Sequence, residues 1–136
     1  MIVSIDPHPL LDSVLLHTVW PKPLGQIPTL TDLDKWFSIG TESPLPSQHD
    51  VKLKVRNLLR HGGFKPSGRS KPASEYLIGA VEKERMSSIN AAVDCCNVAS
   101  LHSGLPISVV DTERGTGPWR IGIAESGVEY VFNPTG

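Results

Sequence analysis

The chain has 136 residues, a formal net charge of −1 and 39% hydrophobic residues, enough for one small domain with a modest core. Twelve glycines and twelve prolines, well above the roughly 12% combined share of average usage, predict short, firmly terminated elements and exclude a plain helical bundle. The opening Met1–Asp6 lacks the basic start of a secretory signal, and no apolar run approaches the ~20 residues that span a bilayer. The expectation is therefore a soluble cytoplasmic protein without a membrane partner.

Ser13–Trp20 is rich in β-branched and apolar residues and ends at Pro21, which predicts a strand. Thr31–Phe37 predicts a short helix with Thr31 or Asp32 near its cap, and Ser43–Ser47 a loop. From Asp50 to His61, Val51, Val55, Leu58 and Leu59 keep helical spacing, and Gly62 stops the helix. Gly62–Ser70 follows as a flexible basic loop. Pro72 suits the first turn of a further helix reaching about Lys83, with Tyr76, Leu77, Ala80 and Val81 facing inward.

The most informative stretch is Ser88–Asp111. Asn90 predicts an N-cap, Gly104 the left-handed residue that ends a helix, and Pro106 a block to its continuation. Between them most of the circumference is apolar, so the helix is expected to be buried. Asn90, Asp94 and Asn97 recur at spacings of four and three and share one stripe. Such a stripe serves either as an internal hydrogen-bond network tying the helix to neighbouring loops or as the lining of a ligand cleft; periodicity does not choose. Ile107–Asp111 reads as a buried strand, and Trp119–Ala124 with Val128–Phe132 as a hairpin turning at Glu125–Gly127. Two such strands are marginal alone, which predicts either a chain that stops mid-domain or a second chain completing the sheet.

Charge is uneven. Seven basic residues and no acidic one fall between Val51 and Pro72, while the rest of the chain carries six basic against fourteen acidic residues. A basic strip on an acidic body suits contact with a polyanion, although a sequence pI near 6.5 does not suit a strong, independent duplex binder. Within the strip, Lys65, Ser67, Arg69 and Lys71 lie on a glycine-punctuated loop that runs into a helix start, where a phosphate, ribose or carboxylate could sit. Glu75, in the first turn of that helix, either complements the helix dipole or orients Arg69 or a ligand amine. The five histidines show no metal-ligand spacing, no G-x-S-x-G elbow occurs, and no cofactor or metal is expected. His61 and His102 are expected at helix ends, where imidazolium complements the dipole. The adjacent Cys95 and Cys96 diverge on a helix and are expected as free thiols packed as small core residues.

The run Asn90-x-x-Val93-Asp94-x-x-Asn97-x-x-x-Leu101-x-x-Gly104-x-Pro106-x-x-x-x-Asp111 resembles a segment of the tRNA-binding and editing domain of the phenylalanyl-tRNA synthetase β subunit. Leu58–Arg69 through Glu75 resembles the free-standing homologues of that domain. The resemblance covers about residues 51 to 132; residues 1–50 form an N-terminal part outside it. It implies a single α+β domain whose mixed sheet has helices packed on one side. It further implies binding of tRNA or an aminoacylated RNA end, and hydrolysis of a mischarged amino acid such as tyrosine. Ser108 stands where the family places a histidine, and the family's later acidic and threonine positions fall beyond Gly136. Serine hydrogen-bonds but does not take up a proton near neutral pH, so binding is implied more firmly than catalysis. The alternative is a non-catalytic module for an amino-acid-like metabolite or a protein partner. The candidate binding residues are Lys65, Ser67, Arg69, Lys71 and Glu75 on the basic side, with Asn90, Asp94, Asn97 and Ser108 on the other.

Overall fold

A computed structural model describes residues 1–40 and 50–129. The elements run β1 (Val3–Ile5), α1 (Leu33–Trp36), α2 (Val51–His61), α3 (Ala73–Val81), α4 (Ala91–Ser103) and β2 (Trp119–Ile121), with 3-10 turns at Leu24–Gln26, Gly68–Ser70 and Thr112–Arg114. The protein is α+β. Among the described residues its sheet has two parallel strands, where a mixed sheet was expected. The chain divides into two compact units, Leu16–Val110 and a second made of Met1–Leu15 with Asp111–Gly136.

The larger unit contains all four helices. On α2, Val55 is buried and Val51, Leu58 and Leu59 are half-buried, whereas Leu53 faces water. This is the inward face that helical spacing predicts, and Gly62 ends the helix with its N–H on the Arg60 carbonyl. On α3 the expected face is partly corrected: Ser74 is buried, Leu77, Ala80 and Val81 are half-buried, but Tyr76 is exposed. Tyr76 points its hydroxyl out to the Gly68 carbonyl at 3.2 Å, a bond an inward ring could not make. Pro72 is the N-cap rather than the first helical residue.

The end of α3 carries no glycine. Glu84 takes the left-handed conformation (φ 52°) while its N–H reaches the Val81 carbonyl and the Arg85 N–H reaches back to Ala80. This is the Schellman pattern, held by a residue with a Cβ. α4, which packs on α3, begins at Asn90 and ends at Gly104 (φ 75°) as expected. Its buried residues are Ala91, Ala92, Asp94 and Ser100, so burial is concentrated rather than circumferential. Cys95 is exposed and only Cys96 is half-buried; both are free thiols, and burial followed by the neighbouring Cys95 raises the Cys96 pKa. Leu33 of α1 is buried, and His102 of α4 donates Nε2–H to the Trp36 carbonyl at 2.8 Å, with the two rings edge-to-face at 6.2 Å. The helix-end position of His102 thus anchors α1, a contact beyond the dipole role expected for it.

Two expected strands do not form. Residues 13–20 adopt no regular structure, with Val14, Leu16 and Val19 more than 80% exposed. Residues 107–111 are likewise irregular and exposed. Both have strand composition, but among the described residues neither has a ladder partner, and strand propensity measures fit to a pleated surface rather than the presence of one.

The smaller unit is built on β1 and β2, in register Val3↔Trp119, Ser4↔Arg120 and Ile5↔Ile121. Arg120 donates Nη2–H to Asp6 at 2.6 Å just past the end of β1. The expected hairpin is described only in part. Its first strand exists but pairs with the N-terminal Val3–Ile5; the turn exists, with Gly127 at φ 86° and the Val128 N–H on the Glu125 carbonyl. Val128 itself is not in a strand, and Tyr130–Phe132, like the expected loop Ser43–Ser47, lies outside the described residues.

Candidate functional site

The basic strip folds into a helix followed by a hydrogen-bonded loop. Gly63 (φ 81°) turns the chain after α2. The loop then closes on itself, Ser67 N–H to the Lys65 carbonyl and Ser70 N–H to the Ser67 carbonyl, and the Tyr76 hydroxyl holds Gly68 from α3. Pro66 is buried beneath. The basic loop thus carries hydrogen bonds of its own and one to α3. α2 and the loop enclose a cleft of about 360 Å³ lined by Arg56, Arg60, Gly63, Phe64, Lys65, Pro66 and Ser67.

The cations of the strip are not equivalent. Arg56 is bound in a two-point pair, Nε at 2.6 Å from Oε1 of Glu75 and Nη2 at 2.8 Å from Oε2. Lys52 approaches the same carboxylate at 3.8 Å, and Lys54 pairs with Asp50 at 2.5 Å one turn earlier. Glu75 therefore has a partner in Arg56. It also stands in the first turn of α3, where its charge complements the dipole. The Arg56 hydrogen bonds hold the Glu75 carboxyl below its usual range, against burial, with attraction from Lys52, Arg56 and Lys71 adding to the effect. The same pair raises the Arg56 pKa. Arg60 meets only the Asn57 side-chain oxygen, at 3.3 Å, and Lys65 has no ion pair among the described residues. Arg60 and Lys65 are thus the cleft cations available to an external anion. Charge counting along the sequence could not separate these from Arg56, because the pairing depends on α3 folding against α2.

Lys65 and Ser67 line the cleft. Glu75 reaches it through Arg56, and exposed Lys71 lies close enough to act on Glu75 electrostatically. Arg69 belongs to the Gly68–Ser70 turn, and its side chain lies outside the described residues. Asn90, Asp94, Asn97 and Ser108 are absent from the cleft lining. Asp94 has no exposed surface. Its Oδ2 accepts from the Ser88 hydroxyl at 2.6 Å and its Oδ1 from the Ile89 N–H at 2.9 Å, while Asn90 Oδ1 accepts from the Val93 N–H at 3.1 Å. This arrangement extends the capping-box idea by one residue, with a carboxylate at the end of the first turn tying down the chain that enters the helix. Of the two roles open to the stripe, Asp94 and Asn90 perform the internal one. Asn97 is half-buried and Ser108 exposed in the irregular segment after α4. The acid and the cap of the stripe are consumed by helix entry and do not join the basic loop in this cleft. Residues missed from the sequence are Arg60 and Phe64, the latter an exposed ring flanked by Gly63 and Lys65.

Among the described residues no cluster of three or more His, Cys, Asp or Glu side chains could hold a metal ion, and no helix is long and apolar enough to cross a membrane. Comparison of the chain with protein-family models, curated proteins and solved structures finds no match.

Proposed function

We propose that this chain binds RNA, in the form of tRNA or an aminoacylated RNA end, through the cleft between α2 and the Gly63–Ser67 loop. The observation that carries the proposal is the presence of Arg60 and Lys65 in one cleft, without carboxylate partners among the described residues, on a chain whose net charge is −1. Local positive charge on an overall acidic body favours phosphate contact while limiting non-specific adhesion. The motif resemblance to the synthetase editing domain supplies the RNA class and a cytoplasmic location, and on this reading the helical unit is a divergent relative of that domain. The cleft lining contains neither histidine nor carboxylate. The proposed role is accordingly binding, and deacylation is a separate question answered by tyrosine release from tyrosylated tRNA specific for phenylalanine.

The test is RNA affinity as a function of salt. Each phosphate contact adds roughly 0.7 to the slope of log K against log salt for a single strand. Arg60→Ala and Lys65→Ala should each flatten that slope by about this amount, whereas Lys54→Ala, already paired with Asp50, should leave it nearly unchanged. A second reading, binding of an amino-acid-like metabolite, is favoured by the cleft volume of about 360 Å³, which lies at the small end of the roughly 300–1,000 Å³ of ligand sites. Salt-insensitive binding of a free amino acid, with no RNA affinity, would select it.

A further inference from the structure

We infer that the cleft takes an unpaired nucleotide, with its base stacked on Phe64 and the adjoining phosphates held by Arg60 and Lys65; this rests on the RNA-binding reading and names the substrate within it. Phe64 is 48% exposed, yet it lines the same cleft as the two cations. Among the described residues its ring has no aromatic or cationic stacking partner, unlike Trp36, which meets His102 and Lys35. The backbone on either side of the ring is also held. Gly63 at φ 81° sets the turn before it, Pro66 is buried two residues after it, and the loop is bonded to itself and to Tyr76.

An aromatic face beside two phosphate-binding cations is the arrangement by which proteins hold single strands, because every base offers a π face while sequence-specific donors are not needed. A duplex does not satisfy it. Paired bases are already stacked on their neighbours, and a side chain on a loop cannot reach their faces without unstacking them. Arg56, paired with Glu75, also lines the cleft. The inferred ligand is therefore a single-stranded RNA segment, such as a free 3′ end, rather than a helical stem.

The experiment measures binding of the full chain, by fluorescence anisotropy, to a short labelled single-stranded RNA and to the same strand annealed to its complement. The expected result is tighter binding of the single strand and a loss of about tenfold for Phe64→Ala, with Phe64→Trp retaining or improving affinity, since stacking on one aromatic ring accounts for a loss of that order. Far-UV circular dichroism of both variants, matched to the parent chain, keeps the comparison one of stacking. RNA binding that depends on Arg60 and Lys65 but is equal for duplex and single strand, and indifferent to Phe64→Ala, would overturn the inference and leave the RNA-binding reading standing. Absence of RNA binding by the parent chain would remove both.

Discussion

The Arg56 guanidinium and the Glu75 carboxylate meet edge to edge, at 2.6 and 2.8 Å, and join α2 to the first turn of α3. The Glu75 side chain is 10% exposed and that of Arg56 26%, so the pair is shielded from solvent on one side only. Because the folded state lowers the Glu75 pKa, the pair stabilises fully above the ordinary glutamate value of 4.5 and loses its contribution as pH falls through the depressed folded value. Thermal melts from pH 7 downward should show a fall in Tm on the acid side of 4.5. In Glu75→Gln the Tm should start lower at pH 7 and decline less steeply. A variant curve parallel to that of the parent would show that Glu75 does not carry this linkage.

Asp94 holds the approach to α4 through Ser88 and Ile89. Asp94→Ala leaves a hydroxyl and an amide without their acceptor and should cost about 1.5–3 kcal/mol, the range for hydrogen bonds to a charged group. Asn90→Ala removes only the cap to Val93 and should cost about 1 kcal/mol. Urea denaturation measures both. The order is the decisive point, since a ligand-lining Asp94 would have been nearly neutral or stabilising to replace.

The two left-handed helix ends make opposite predictions. Gly104 at φ 75° has no Cβ, and one added there would meet Val51 Cγ1 at 3.4 Å. Gly104→Ala should destabilise by about 1–2 kcal/mol, chiefly through the backbone. Glu84 at φ 52° already carries that strain. Glu84→Gly should therefore stabilise by up to about 1 kcal/mol, despite the usual entropic penalty of glycine. Urea midpoints moving in opposite directions would verify the pair.

His102 fastens the short α1 to α4 through the Trp36 carbonyl. A carbonyl only accepts, so Nε2 carries the proton. His102→Ala should free α1 selectively: hydrogen exchange at the Phe37 amide, which is bonded to the Leu33 carbonyl, should accelerate, while the Glu82 amide at the end of α3 keeps its protection. Equal acceleration at both would mean that His102 supports the whole helical unit.

Helices whose limits are local were legible. Asn90, Gly104 and Gly62 act within a turn of their own position, so α2 and α4 could be read almost to the residue. The strands were not, because a strand is defined by a partner. Val14–Val19 and Ile107–Val110 have β composition but no ladder among the described residues, whereas Val3–Ile5 is three residues long and pairs with residues more than a hundred positions away. The end of α3 was missed for a related reason, since a glutamate signals no left-handed turn.

What the amino-acid order determined alone is the set of helices, the stops of α2 and α4 and the density of positive charge between Val51 and Pro72. Only the tertiary structure decided which charges remain for a ligand. Glu75 is nineteen positions from Arg56, and the fold brings its carboxylate onto that guanidinium and leaves Arg60 and Lys65 in the cleft without a carboxylate partner among the described residues. It also decided the role of Asp94, whose position on the buried face put the nearest donors, Ser88 and Ile89, within hydrogen-bond reach. Caps and periodicity operate over neighbouring residues, whereas charge pairing and burial depend on distances that exist only after the chain has folded.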